Sequence, residues 1–108
     1  MQPVAVDFEL EPLGERAGFR LVGELDLVSA PELGGALAEV GSENGIVLDV
    51  RELTFLDSSG CNVLTTYLRG GDGGRRIVLV APTPAVERTL ELTGLRRHPQ
   101  IEIRARGG

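Results

Sequence analysis

Two short runs, Ile46-Val47-Leu48 with Val50 and Ile77-Val78-Leu79-Val80-Ala81, limit what this chain can fold into more than any other feature. Each is nearly all apolar, rich in β-branched residues and about the length of a strand. Runs of that kind read as strands covered on both faces, as in parallel sheets. Between them lies residues 58–69, where Cys61, Leu64 and Leu68 share one helical face. A buried strand, a helix and a second buried strand imply a mainly parallel sheet covered by helices.

The flanking segments fit that frame. Val4, Val6, Phe8 and Leu10 alternate with Asp7 and Glu9, which predicts a half-buried strand. Pro12 to Gly18 reads as a turn, and Phe19 to Leu25 as the returning strand of a hairpin. Ser29-Ala30-Pro31-Glu32 has the spacing of a capping box, in which Ser29 caps a helix and Glu32 reaches back. Leu33, Ala36, Leu37 and Val40 then recur at helical spacing as far as Gly41. Thr83-Pro84 opens another helix, with Val86 and Leu90 facing inward and Gly94 closing it. Ile101-Glu102-Ile103 suggests a last edge strand. The predicted order is β-β-α-β-α-β-α-β in a single α/β domain spanning 1–108.

Composition removes several function classes. With 108 residues the chain can bury one core without metals or disulfides. Its single cysteine, Cys61, makes no internal disulfide, and no metal site or cofactor motif is apparent. All 11 basic residues are arginine, so no lysine is available as a phosphate-loop residue, Schiff base or general base. A net charge of −5 argues against nucleic acid as the main partner. The start MQPVAVDFEL lacks a basic and apolar leader, and no apolar run approaches the ~20 residues of a membrane span. A cytoplasmic monomer is expected.

Three motifs invite a chemical reading. Gly70-Gly71-Asp72-Gly73-Gly74 looks like a phosphate cradle, but it follows a helix and precedes a strand, the reverse of the order such loops use. A flexible turn is the stronger reading. A serine hydrolase would need His98, the only histidine, yet no serine sits in a G-x-S-x-G elbow. Asp57-Ser58-Ser59-Gly60 remains. Asp57 is a good N-cap, and its charge suits the positive end of a helix. That places the Ser58 hydroxyl outward at the first helical position. Capping needs one polar residue, so the additional small residues are read as keeping the surface open around Ser58.

Leu53-Thr54-Phe55-Leu56-Asp57-Ser58-Ser59-Gly60 resembles the phosphorylation-site motif of anti-sigma factor antagonists, the small bacterial STAS-domain proteins. Gly23-Glu24-Leu25-Asp26, Ile46-Val47-Leu48-Asp49-Val50, Thr83 to Arg88 and Thr93-Gly94-Leu95 are similar to further family motifs, in family order. The resemblance implies a STAS fold and no enzymatic activity of the chain's own. It implies a protein that binds an anti-sigma factor with serine-kinase activity and so frees a sigma factor. The kinase would inactivate it by phosphorylating Ser58, and a phosphatase would reverse this. Asp26, Asp57, Ser59 and Gly60 match positions near the phosphorylated serine. The family commonly has Leu-Gly where this chain has Cys61-Asn62, which puts side-chain bulk at Asn62 near the partner face. The alternative is a STAS scaffold that is never phosphorylated.

Overall fold

The computed structural model describes residues 7–14, 16–40 and 44–105. Val4, Val6 and Gly41 lie outside the described residues. The strands are β1 (Phe8–Pro12), β2 (Gly18–Leu25), β3 (Ile46–Leu56), β4 (Ile77–Val80) and β5 (Ile101–Arg104). The helices are α1 (Ala30–Val40), α2 (Ser58–Arg69) and α3 (Pro84–Leu92), and a 3-10 turn (Leu95–Arg97) precedes β5. The sheet runs β1-β2-β3-β4-β5 in chain order. The β1–β2 hairpin is antiparallel and the other three pairings are parallel.

The predicted order of elements holds. The two-sided burial of the central strands does not. Ile46, Leu48, Val50, Ile77 and Leu79 join Leu33 and Leu37 of α1, Leu64 and Leu68 of α2, and Val86 and Leu90 of α3 in one core. Alternate residues Val47, Asp49, Val78 and Val80 are only half-buried. The helices therefore cover one face of the sheet. Valine suits any pleated, half-buried surface, so the run reads as if it were buried on both sides. The open face carries ion pairs instead, Arg20 with Glu52 and Arg51 with Asp49.

β3 is also longer than the apolar run predicts, extending six residues beyond Val50 to Leu56. Arg51 and Glu52 point to solvent, but Leu53 and Leu56 return to the core. Two register irregularities against β2, between Arg20 and Val22 and between Gly23 and Glu24, accommodate the change in alternation. This extension carries the chain to Asp57 at the far edge of the sheet.

α1 begins differently from the prediction. The Ser29 hydroxyl does not cap toward Glu32. It donates to the Glu24 carbonyl at 2.8 Å and accepts from the Asp26 N–H at 2.9 Å. Asp26 Oδ1 in turn accepts from the N–H groups of Val28 and Ser29 at 3.0 and 3.1 Å. The reciprocal box is thus Asp26 with Ser29, one turn earlier than the spacing suggested. α3 starts as predicted: the Val86 N–H donates to Thr83 Oγ1, Pro84 occupies the first turn, and Gly94 follows at φ 81. The glycine loop is a turn, with Gly71 and Gly73 at positive φ.

Candidate functional site

β2 and β3 run parallel and end together, with Leu25 opposite Leu56. The loops that follow them, carrying Asp26 and Asp57, therefore leave the same edge of the sheet side by side. The Asp57 N–H donates to the Leu25 carbonyl at 3.2 Å and ties the two loops together. From the other side, the Thr89 hydroxyl of α3 donates to the Leu56 carbonyl at 2.8 Å, and Thr83 donates to the Leu53 carbonyl at 3.0 Å. The start of α2 is pinned between β2 and α3.

Asp57 caps α2 as predicted: its Oδ1 accepts from the Ser59 N–H at 2.8 Å and the Gly60 N–H at 3.2 Å. Ser58 is the first residue of the helix and is exposed. Among the described residues its hydroxyl has no hydrogen-bond partner. Asn62 and Thr66 follow at i+4 and i+8 and are exposed too, so an open polar stripe runs along α2 from Ser58. Asp26 is held below the usual carboxylate range, chiefly by the hydrogen bond from the Ser29 backbone. It is an anion at neutral pH, beside the Ser58 edge.

The small residues of the knot differ from the sequence reading. Gly60 is buried and opens no surface. A Cβ at this position would lie 2.6 Å from a Leu56 methyl and 2.8 Å from Leu25 Cγ. Its missing side chain lets α2 settle onto the ends of β2 and β3. Gly60→Ala is expected to cost about 1–3 kcal/mol through overpacking, read as a lower denaturant midpoint at unchanged m-value. Ser59 donates its backbone N–H to Asp57, while its hydroxyl does no capping. Ser59→Ala should thus shift stability by less than the ~1 kcal/mol typical of a lost cap, with any phosphate still on Ser58 by peptide mass spectrometry.

Two apolar side chains were not singled out by the sequence reading. Leu27 and Val28, in the turn after Asp26, are 74% and 87% exposed. They follow the strand as Leu25-Asp26-Leu27-Val28, where the continued apolar composition is the one available signal. Asp26 fixes them outward by holding the Val28 N–H in the tight turn before α1. The edge thus combines a free hydroxyl, carboxylates and exposed aliphatic groups.

Hydrolytic constellations do not assemble at this edge. His98 precedes β5, whose first residue pairs with Ile77, itself paired with Ile46. It therefore lies at the opposite edge, roughly 30 Å along β3 from Ser58. Its Nδ1 accepts from the Gln100 N–H at 3.0 Å. Cys61 is buried, and burial pushes its thiol up, with the Asp57 charge acting in the same direction. A protonated, enclosed thiol is no nucleophile. Among the described residues, no group of three or more His, Cys, Asp or Glu could hold a metal ion. No helix among them is long and apolar enough to cross a membrane.

Residues 9–103 match the family model described as "Mlab, STAS domain". Among solved structures, the chain is similar to an anti-sigma factor antagonist from Mycobacterium paratuberculosis, with 28% identity and a TM-score of 0.68 over 88% of this chain and 83% of that one. It is similar to the anti-sigma factor antagonist SpoIIAA in its unphosphorylated form, with 26% identity and a TM-score of 0.65 over 92% and 89% of the two chains. The phosphorylated form of the Bacillus cell-fate determinant SpoIIAA matches at 25% identity and a TM-score of 0.62, over 92% of each chain.

Proposed function

The chain belongs to the STAS-domain family, and from that premise we propose that it is an anti-sigma factor antagonist switched by phosphorylation of Ser58. Unmodified, it binds an anti-sigma factor that is also a serine kinase, and a sigma factor is released. Phosphorylated, it loses that partner until a phosphatase restores it. The chain is a substrate and a binding module here, not a catalyst, and it needs no cofactor.

The observation that carries this reading is Ser58 itself: an exposed hydroxyl without a hydrogen-bond partner, at the first position of a helix whose start is anchored on both sides. A kinase can reach it without unfolding anything. Leu27 and Val28 supply apolar area for the same partner, and Asp26, Asp57 and Asn62 border it.

The switch has a physical account. Phosphorylation adds about −1.5 to −2 charge at neutral pH. A helix N-terminus tolerates an anion, so the fold should persist. However, Asp57 already occupies the Ser59 and Gly60 N–H groups, which leaves the phosphate beside a carboxylate and with few amides to satisfy it. Burying that unpaired charge against a partner costs several kcal/mol, or two or more decades in affinity. The direct test is incubation with ATP, Mg²⁺ and kinase-type anti-sigma factors from the native cell. Phosphate on Ser58 is the expected product. A tightly bound kinase that leaves Ser58 unmodified would instead make the chain an unphosphorylated scaffold.

A further inference from the structure

A cleft of about 280 Å³ lies between α1 and α2 and shares Asn62 and Thr66 with the polar stripe that runs from Ser58. Gly34, Leu37 and Ala38 form its α1 wall, and Val63 and Tyr67 part of its α2 wall. The cleft exists because two small residues stand one turn apart on α1: even a Cβ on Gly34 would only just reach the Val63 methyls, at 3.9 Å. Arg75, from the loop after α2, adds the one charged group among its described lining residues.

Arg75 is incompletely satisfied. Its Nη1 donates to the Tyr67 carbonyl at 3.1 Å, and its guanidinium carbon sits 4.7 Å from the centre of the Tyr67 ring. Its Nε is buried without a hydrogen-bond partner. Among the described residues no carboxylate pairs with it, as none does with Arg69, Arg76, Arg88 or Arg97. Arg20 Nε is likewise buried and unpartnered although Arg20 pairs with Glu52, so what singles out Arg75 is its place in the cleft lining. A mostly apolar cleft with one oriented cationic group is the usual build of a small-ligand site.

We propose that this cleft binds a small amphiphilic carboxylate, its apolar body between α1 and α2 and its carboxylate on Arg75. The volume is that of about nine water molecules at ~30 Å³ each, which suits a ligand of about eight to ten non-hydrogen atoms. A planar carboxylate matches the guanidinium fork in both charge and shape. The inference rests on the cleft alone and stands whether or not Ser58 is phosphorylated.

Octanoate is the probe, with octanol and octylammonium as neutral and cationic controls, titrated into the ¹⁵N-labelled full chain. Octanoate should shift the amides of residues 34–38, 62–67 and 75 in a saturable way. Octanol should bind about tenfold more weakly or worse, since the ion-assisted hydrogen bonds are lost, and octylammonium should not bind. Arg75→Gln should weaken octanoate by a similar factor, and Arg75→Lys, which keeps the charge but loses the planar fork, should fall between Arg75→Gln and wild type. Because Arg75 also braces the Tyr67 carbonyl, Ala38→Phe provides an independent block: Ala38 is exposed, so the new ring can fill the cleft without disturbing the core. Octanoate binding unchanged in Ala38→Phe, octanol binding equal to octanoate, or no shift in the lining amides would each overturn the proposal.

Discussion

Ser58→Ala is expected to bind the anti-sigma partner as tightly as the unmodified protein and to keep that affinity in ATP, where wild type loses two or more decades with time. The substitution removes the phosphate acceptor and touches neither the Asp57 cap nor the core, because the Ser58 side chain is exposed and takes no part in the cap hydrogen bonds. Ser58→Asp should remain folded, since a carboxylate at the first helical position suits the dipole. It should bind more weakly in ADP and ATP alike, by a smaller factor than phosphoserine, because it carries about half the charge. The check is a titration of each variant against the partner with ADP, then with ATP over time. A Ser58→Ala variant that loses affinity as fast as wild type would remove Ser58 from the control. A folded Ser58→Asp that binds like wild type would refute the electrostatic account and leave the phosphosite standing.

The second large effect is expected from Leu27→Ser combined with Val28→Ser. Fully burying an aliphatic side chain of this size contributes about 1.5–3 kcal/mol. Both groups are exposed in the free protein, so whatever they contribute appears only on association. Removing both should weaken partner binding by about a hundredfold or more. Stability should barely move, because the turn is held by the Val28 and Ser29 backbone N–H groups on Asp26, not by the two side chains. The measurements are a binding isotherm in ADP and a denaturant curve for the same variant. Full affinity with both groups removed would place the interface elsewhere on the α2 edge. Lost affinity accompanied by a large drop in stability would point to misfolding of the turn instead.

Much of this protein is determined locally, and that part is legible in the sequence. The alternation of strand and helix follows from apolar period and turn residues. Asp57 caps α2 and Thr83-Pro84 starts α3 because each needs only its next three residues to make its hydrogen bonds. The exposure of Ser58 follows from the cap, since the first helical position lies outside the apolar stripe of Cys61, Leu64 and Leu68.

What the tertiary structure alone decided involves partners distant in sequence. Whether the valines of β3 and β4 face a second layer depends on where three helices dock, and all three dock on one side. The capping partner at α1 was set at the end of β2, where the Glu24 carbonyl accepts from the Ser29 hydroxyl and the Asp26 N–H just beyond the strand donates to it. Gly60 reads as surface in the chain because Ser58 and Ser59 precede it, yet it is buried because Leu56 and Leu25, the latter 35 residues earlier, lie where its Cβ would be. The cleft beside Arg75 likewise depends on Gly34 meeting Val63 across two helices. Hydrogen bonds within one turn are encoded by neighbours and can be read from them, whereas the space around a side chain is set by segments that only the folded chain brings together.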